Sequence, residues 1–181
     1  MIVKLVCILK IYEKNMITLR EFKAQDAPFI ISTLNDEQVT RFLSSKIPFP
    51  YTQADADWWI NQGSKNGVID ATVKAIEVNG QFAGCIGVTP GEFEYSHSGE
   101  IGYWLNKAYW GQGIITRAIE LICNEAFANS HINRIFGAVF AGNTGSMKAL
   151  IKSGFEQEAV LKQAIYKNGV FYNSHIFSKL K

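Results

Sequence analysis

Glu100-Ile-Gly-Tyr-Trp-Leu-Asn-Lys-Ala-Tyr-Trp-Gly-Gln-Gly-Ile-Ile-Thr116 is the stretch whose reading decides the fold. Glu100 to Leu105 alternates in side-chain direction, as a strand does. A short loop follows, with Gly111 and Gly113, and from Gln112 to Phe127 the apolar period becomes helical. Ile115, Ile119, Ile122 and Ala126 form the expected buried stripe. Glycine at such a junction lets the main chain take a positive φ and approach a ligand closely. The free N–H groups at the helix start then face a region of positive potential, which suits a phosphate. The spacing is not that of a dinucleotide fingerprint, and no Gly-Lys-Ser/Thr follows as in a Walker loop. Taken by itself, the pattern is also that of a plain tight turn.

Working outward, Arg134 to Phe140 reads as a strand, and Asn143 to Ser153 as a helix stopped at Gly154. Asn143 and Ser146 open that helix, and on local grounds they are ordinary capping residues. Upstream, residues 69–78 and 81–89 are β-rich runs joined at Asn79-Gly80, a dipeptide suited to a type I′ hairpin. Asn168-Gly169 joins the last two strands in the same way. A strand over 17–22 precedes a helix over 26–35, with Asp26 as N-cap and Pro28 in the first turn. Lys46-Ile47-Pro48-Phe49-Pro50 interrupts the chain, and a second helix begins at Thr52 with Asp55 as a capping-box partner. The order β-α-α-β-β-β-α-β-α-β-β describes an α/β (α+β) chain with a mixed central sheet flanked by helices.

The 181 residues fit one domain, expected over 16–181. Residues 1–15 read as an extra edge strand or a leader ahead of a start at Met16. With 48% hydrophobic and 19% charged residues the chain is neither disordered nor collagen-like. A net charge of +2 leaves no footprint for nucleic acid. Cys7, Cys85 and Cys123 are scattered and odd in number, which argues for a reducing compartment rather than a disulfide framework. His97, His131 and His175 are too widely separated for a local ligand motif, so no metal is expected. No apolar run approaches the 18 residues of a membrane helix, and a cytoplasmic location is the expectation.

Taken together and in this order, Ile17-Thr-Leu-Arg20, Glu100–Leu105, Tyr109–Thr116, Asn143-Thr-Gly-Ser146, Gly154-Phe155 and the Asn168-Gly169 hairpin resemble the GNAT N-acetyltransferase superfamily. Within it they are most similar to the branch of ribosomal-protein-alanine and -serine N-acetyltransferases. The resemblance implies a mainly antiparallel sheet with one splayed parallel pair of strands, and acetyl-coenzyme A as cofactor, with coenzyme A as product. Trp104, Leu105, Trp110, Gly111, Gln112, Gly113, Ile114, Ile115, Thr116, Asn143 and Ser146 would hold that cofactor. The superfamily pattern in the loop is Gln/Arg-x-x-Gly-x-Gly/Ala. Gly113 matches it, whereas Trp110 and Ile115 depart from it at the first and last positions.

Amide formation from a thioester needs a neutral amine, a polarised carbonyl and a proton for the leaving thiolate. The resemblance implies a main-chain donor near Leu105 for the carbonyl. Many relatives supply the proton from a Tyr five residues before the Phe of Gly-Phe. That slot is Leu150 here, and Ser146 is the implied replacement. The Glu of some relatives near the last hairpin is Ile165 here, which leaves Glu100 as the candidate base, with a main-chain-bonded strand carboxylate as the alternative. Phe42, Trp59, Tyr103 and Tyr166, with Arg41, Trp58 and Tyr172, are candidates to line the acceptor groove, although each aromatic can equally be core.

A protein N-terminal α-amine is the expected acceptor. A small-molecule amine, or a non-catalytic acyl-coenzyme A-binding module, remain the alternatives. Neither a nucleic-acid nor a membrane partner is expected, and the chain is a monomer or a homodimer.

Overall fold

In the computed structural model, which describes residues 16–65 and 72–181, seven strands make one sheet. They are β1 (Ile17–Arg20), β2 (Thr72–Val78), β3 (Gln81–Pro90), β4 (Ser98–Leu105), β5 (Arg134–Phe140), β6 (Glu156–Lys167) and β7 (Val170–Leu180). Their spatial order is β1-β2-β3-β4-β5-β7-β6. Every neighbouring pair is antiparallel except β4–β5. The helices are α1 (Ala27–Leu34), α2 (Glu37–Thr40), α3 (Gln53–Trp58), α4 (Ile114–Asn129) and α5 (Thr144–Lys152). The extra segment 1–15 and the first residues expected for the 69–78 strand lie outside the described residues.

Local chemistry accounts for the elements the sequence announces. Asn79 and Gly80 have φ of 52° and 81°, and Asn168 and Gly169 have 50° and 80°, so both hairpins turn through left-handed residues. Thr52 and Asp55 form a reciprocal capping box at α3. At the far end of α5, Gly154 N–H donates to Ile151 O and Phe155 N–H to Leu150 O, each at 3.1 Å. That is a Schellman motif, and its apolar contact is Phe155 with Leu150, both in the core.

Two expectations change. Asp26 does not cap α1: its backbone is already helical and its side chain makes no cap bond there. Instead its carboxylate receives both Arg20 guanidinium nitrogens, at 2.8 and 2.9 Å, and the Lys23 N–H. In α4 the fully buried stripe is Ile114, Ala118, Ile119, Ile122, Cys123 and Ala126. Ile115 is only half-buried, because α4 begins at Ile114 and its first turn rotates that side chain towards a cavity. The four-residue α2 and the wide helical turn at Trp59–Gly63 are too short for a hydrophobic period to reveal.

Apolar side chains bury on both faces of the sheet. One core joins α4 and α5 to Ile76, Ile86, Ile101, Ile135 and Phe177. The other joins α1 and α3 to Phe22, Tyr51, Val73 and Phe82. A bulge lets β3 serve both: Ile76 pairs with Gly84 and Glu77 with Phe82, which leaves Ala83 unpaired. The extra residue puts Phe82 and Cys85 on the same face, although they are three positions apart.

The feature that shapes the site is the β4–β5 ladder. It has three pairs, Ser98–Arg134, Gly99–Ile135 and Glu100–Phe136, and then stops, although β4 continues to Leu105 and β5 to Phe140. Each strand stays bonded on its other side, β4 to β3 as far as Leu105 and β5 to β7 as far as Phe140. Gly137 lies just past the last pair, where a Cβ would come within 3.2 Å of Ile101 Cγ2 and 3.4 Å of Leu150 Cδ1. The strands therefore part into a slot with unpaired main chain along its edges.

Asp26 is 1% exposed and its pairing with Arg20 ties β1 to the turn before α1. Asp26→Ala removes the acceptor of three hydrogen bonds and leaves Arg20 with Glu77 as its one carboxylate partner among the described residues, so urea titration should show a loss of about 3 kcal/mol. A loss under about 1 kcal/mol would contradict this account.

Candidate active site

The loop between β4 and α4 places its two glycines at one end of the slot. Gly111 and Gly113 have φ of 73° and 78°, and a Cβ on either would meet no atom within 4 Å. Their need for glycine is therefore conformational, not steric. Gly113 is the N-cap of α4 and no side chain caps that helix, so the first N–H groups open into the space above it. The Trp110 indole turns back and donates to Leu105 O at 2.8 Å, pinning the loop to the end of β4. An aromatic at the position where the wider pattern has Gln or Arg thus has a structural task, and the glycine-rich main chain stays free.

A cavity of about 410 Å³ opens over this loop. Of the residues expected to hold a cofactor, Trp104, Leu105, Trp110, Gly111, Gly113, Ile114, Ile115, Asn143 and Ser146 line it. Gln112 and Thr116 do not. Gln112 donates from Nε2 to Ala108 O at 2.9 Å, and the Thr116 carbonyl accepts from Ser153 Oγ at 3.2 Å. Asn143 Oδ1 caps α5 by accepting the Ser146 N–H at 3.2 Å, while its Nδ2 has no partner among the described residues. Capping and ligand contact are thus compatible in one side chain.

A second cavity, of about 520 Å³, fills the parting of β4 and β5 and extends to the β6–β7 hairpin. Phe42, Leu43, Tyr103, Asn143 and Ser146 line both cavities, so the two spaces meet at these five residues. At the junction Tyr103 Oη lies 2.7 Å from Ser146 Oγ, with either hydroxyl able to donate. Burial pushes the Tyr103 phenol up to about 12, partly opposed by its bond to Ser146, so it stays protonated at neutral pH. Ser146 and Leu150 stand one helical turn apart on α5. Leu150 is 1% exposed, and the phenol comes from β4 instead.

Glu100 ends the parallel ladder and lines the second cavity with Tyr103 and Ser146. It is exposed, and its carboxylate has no hydrogen bond or ion pair among the described residues, so the alternative of a main-chain-bonded strand carboxylate is not what the structure contains. Strand alternation sends Glu100 and Tyr103 to opposite faces of β4, and the open slot lets both reach the same space. Ile165 also faces this cavity as an apolar side chain.

Among the acceptor-side candidates, Phe42 and Tyr166 line the second cavity, and Arg41 the first. Tyr172 supports them from behind: Phe42 packs on Phe140 at 5.9 Å between ring centroids, and Phe140 on Tyr172 at 5.6 Å. Trp59 belongs instead to the core, against Phe22 and Trp58, and neither tryptophan lines either cavity. Two adjacent tryptophans at the end of a short helix carry no signal that separates core from groove. Sequence reasoning missed Leu43 and Lys167, both cavity-lining, because loop and hairpin-tip residues reveal their neighbours only after folding.

Folding brings His97 and His131 together, with ring centroids 5.1 Å apart, despite their separation along the chain. Among the described residues no three His, Cys, Asp or Glu side chains gather as a metal site would require. Cys85 and Cys123 are free, buried thiols, pushed up by burial to about 12 and about 11. Cys7 lies outside the described residues. No described helix is long and apolar enough to cross a membrane.

Comparison with known proteins places this geometry. Residues 16–156 match the family model described as an acetyltransferase (GNAT) domain. The chain is 27% identical over 178 residues to the uncharacterized N-acetyltransferase YoaA of Bacillus subtilis (strain 168), covering 94% of this chain and 97% of that protein. Its fold is similar to that of RimL, a ribosomal L7/L12 alpha-N-protein acetyltransferase solved with coenzyme A, with a TM-score of 0.78 and 20% identity over 91% of this chain and 93% of that one. It is also similar to the microcin C7 self-immunity acetyltransferase MccE solved with acetyl-CoA and AMP, with a TM-score of 0.76 and 26% identity over 91% and 92% of the two chains. The family model spans well over half of the sequence, and the chain belongs to the GNAT acetyltransferase family.

Proposed function

We propose that this acetyltransferase moves an acetyl group from acetyl-coenzyme A to the α-amine of a protein N-terminus. The observation that carries the proposal is the meeting of two cavities at the Tyr103–Ser146 hydroxyl pair. A donor held in the first cavity and an amine held in the second would react there without a covalent enzyme intermediate. RimL and MccE, both similar in fold and solved with coenzyme A or acetyl-CoA, support the donor, and the name of RimL supports the acceptor class.

In this reading the uncapped start of α4, with Gly111 and Gly113, would hold the donor's pyrophosphate through main-chain N–H groups. Gln112 would contribute main chain only, consistent with a side chain bonded to Ala108 O. The pantetheine arm would run along the edge of β4 that has no strand partner beyond Glu100, and a main-chain N–H near Leu105 would polarise the thioester carbonyl. Attack by the neutral amine forms the C–N bond, and collapse of the tetrahedral intermediate expels the thiolate. A thiolate with a pKa near 8.5 needs a hydrogen bond or a proton, and the Ser146 hydroxyl would donate it with Tyr103 behind it. Glu100 would take the proton that the amine loses, directly or through water.

Magnitude favours an α-amine. Neutralising one with a pKa of about 7.7–8 costs ~1 kcal/mol at pH 7, whereas a lysine near 10.4 costs roughly 4–5 kcal/mol. A site whose one free carboxylate is solvent-exposed suits the easier deprotonation.

Thiol release should be fastest with peptides bearing a free N-terminus, compared with matched peptides whose only amine is a lysine side chain and with polyamines. A clear preference for the ε-amine or the polyamine would refute the α-amine reading, and donor binding without turnover on any amine would make the chain a binding module. Ser146→Ala should lower kcat by about a hundredfold and Glu100→Gln by about tenfold, with the coenzyme A dissociation constant little changed. In a Tyr103→Phe cycle the double variant should be little slower than Ser146→Ala alone, because the two hydroxyls act as one unit. With rising pH, kcat/KM should climb as the amine deprotonates and level off near about 8. It should not fall again before about pH 10, because a Tyr103 phenol pushed up to about 12 keeps its proton until then. A decline beginning near pH 8 would remove the phenol from the mechanism.

A further inference from the structure

Lys167 stands at the tip of the β6–β7 hairpin and makes contacts that no part of the transfer reaction requires. Its Nζ donates to Thr40 O at 2.9 Å and to Leu43 O at 2.6 Å, across 127 and 124 residues of chain. The hairpin holds it firmly: Lys167 pairs with Val170, the last pair before the left-handed Asn168-Gly169 turn. The residues it grips are the last of α2 and one in the segment that follows, where 41–45 form no helix or strand. That segment is the wall of the site. Phe42 and Leu43 line both cavities, and Ser44 and Ser45 line the second.

A loop with no ladder of its own needs fixing from outside if it is to present a constant wall to an acceptor amine. Two ties are available here. The Phe42 ring packs on Phe140, and the Arg41 guanidinium lies over it, 4.4 Å from its centroid. The second tie is the ammonium, which crosses the mouth of the cavity to reach main-chain carbonyls. Burial lowers the Lys167 pKa from its ordinary value, and among the described residues it has no carboxylate partner, so the two carbonyls are what compensate its desolvation. Charge-assisted bonds to main-chain oxygens hold a backbone in place whatever its side chains are.

We infer that Lys167 is a positioning residue that latches the 41–45 wall over the acceptor cavity and so sets the affinity for the amine. The inference rests on the second cavity being the acceptor's, as in the function proposed above, and it goes beyond that reading by making access to the site depend on the hairpin tip. Glu100, Tyr103 and Ser146 keep their places when the latch is removed, since none of them bonds to Lys167 or to the wall's main chain.

The test has two arms on the full chain, comparing Lys167→Met, Lys167→Gln and Lys167→Arg. In the first, hydrogen–deuterium exchange is followed by residue. Lys167→Met should speed exchange in 41–45 by about tenfold or more and leave β4, β5 and α5 unchanged, with Lys167→Arg close to the wild type. In the second, kinetics use whichever amine the acceptor panel finds fastest, so the identity of the acceptor does not enter. Lys167→Met should raise its KM by about tenfold with kcat and coenzyme A affinity within about threefold, and Lys167→Arg should recover most of the loss. Lys167→Gln, whose amide is too short to span both carbonyls, should behave like Lys167→Met and serves in its place if that variant fails to fold. Unchanged exchange in 41–45, an unchanged KM, or uniformly faster exchange across the whole sheet would overturn the inference. If no amine in the panel turns over, the function proposed above falls, and the exchange arm still decides whether the latch exists.

Discussion

The structure depends on a ladder that stops. β4 and β5 exchange hydrogen bonds for three residue pairs and then diverge, each kept straight by the antiparallel neighbour on its other side. Unpaired main-chain groups inside a sheet are costly unless something else bonds to them. A slot edged with such groups is therefore a place where an extended, amide-containing ligand can supply what the missing strand pairs do not. The pantetheine arm of a coenzyme A thioester is such a ligand. The same divergence lets residues from opposite faces of β4 address one space, which an ordinary sheet forbids.

The hydroxyl pair is a second consequence of that geometry. A side chain on β4 and one on α5 meet only because α5 packs beside the gap that β5 leaves, with Leu150 and Gly137 filling the space beneath. Tyr103 is half-buried and protonated, Ser146 sits in the first turn of its helix, and their 2.7 Å contact is where the two cavities join. In the proposed mechanism Ser146, with the Tyr103 phenol behind it, would stand in for the tyrosine that the resemblance leads one to expect at 150. Around this centre Phe42, Phe140 and Ile165 supply aromatic and apolar wall, beside the polar Ser44, Ser45 and Lys167.

Rigid and adjustable parts are divided along the chain. The first cavity is built on glycines that hold positive φ, on the Trp110 indole bonded to the end of β4, and on the capped start of α5. The second is closed by a short loop and by a hairpin tip, joined by one ammonium, with the loop's Phe42 packed on Phe140. Loops held by few contacts are where related enzymes vary their substrates while the scaffold stays the same.

Much of this was legible in the residues alone. The strand–glycine–helix junction, both Asn-Gly turns, the Thr52–Asp55 box and the Gly154 stop are local, and local chemistry is written in adjacent residues. The order of the motifs was enough to name the family, because each motif is a main-chain requirement that spacing preserves. What no spacing contained was every relation across the sheet. Asp26 looked like a cap because the partner that claims it, Arg20, is bound through the packing of β1 on the turn before α1. Trp59 looked like a groove residue because burial depends on what packs opposite. His97 and His131 looked remote, and Lys167 looked like any hairpin lysine, until the fold set their partners beside them. Sequence determines where the backbone turns, stops and bares its amides; tertiary structure alone decides which side chains meet, since contacts between residues a hundred positions apart exist only once the sheet has closed the distance.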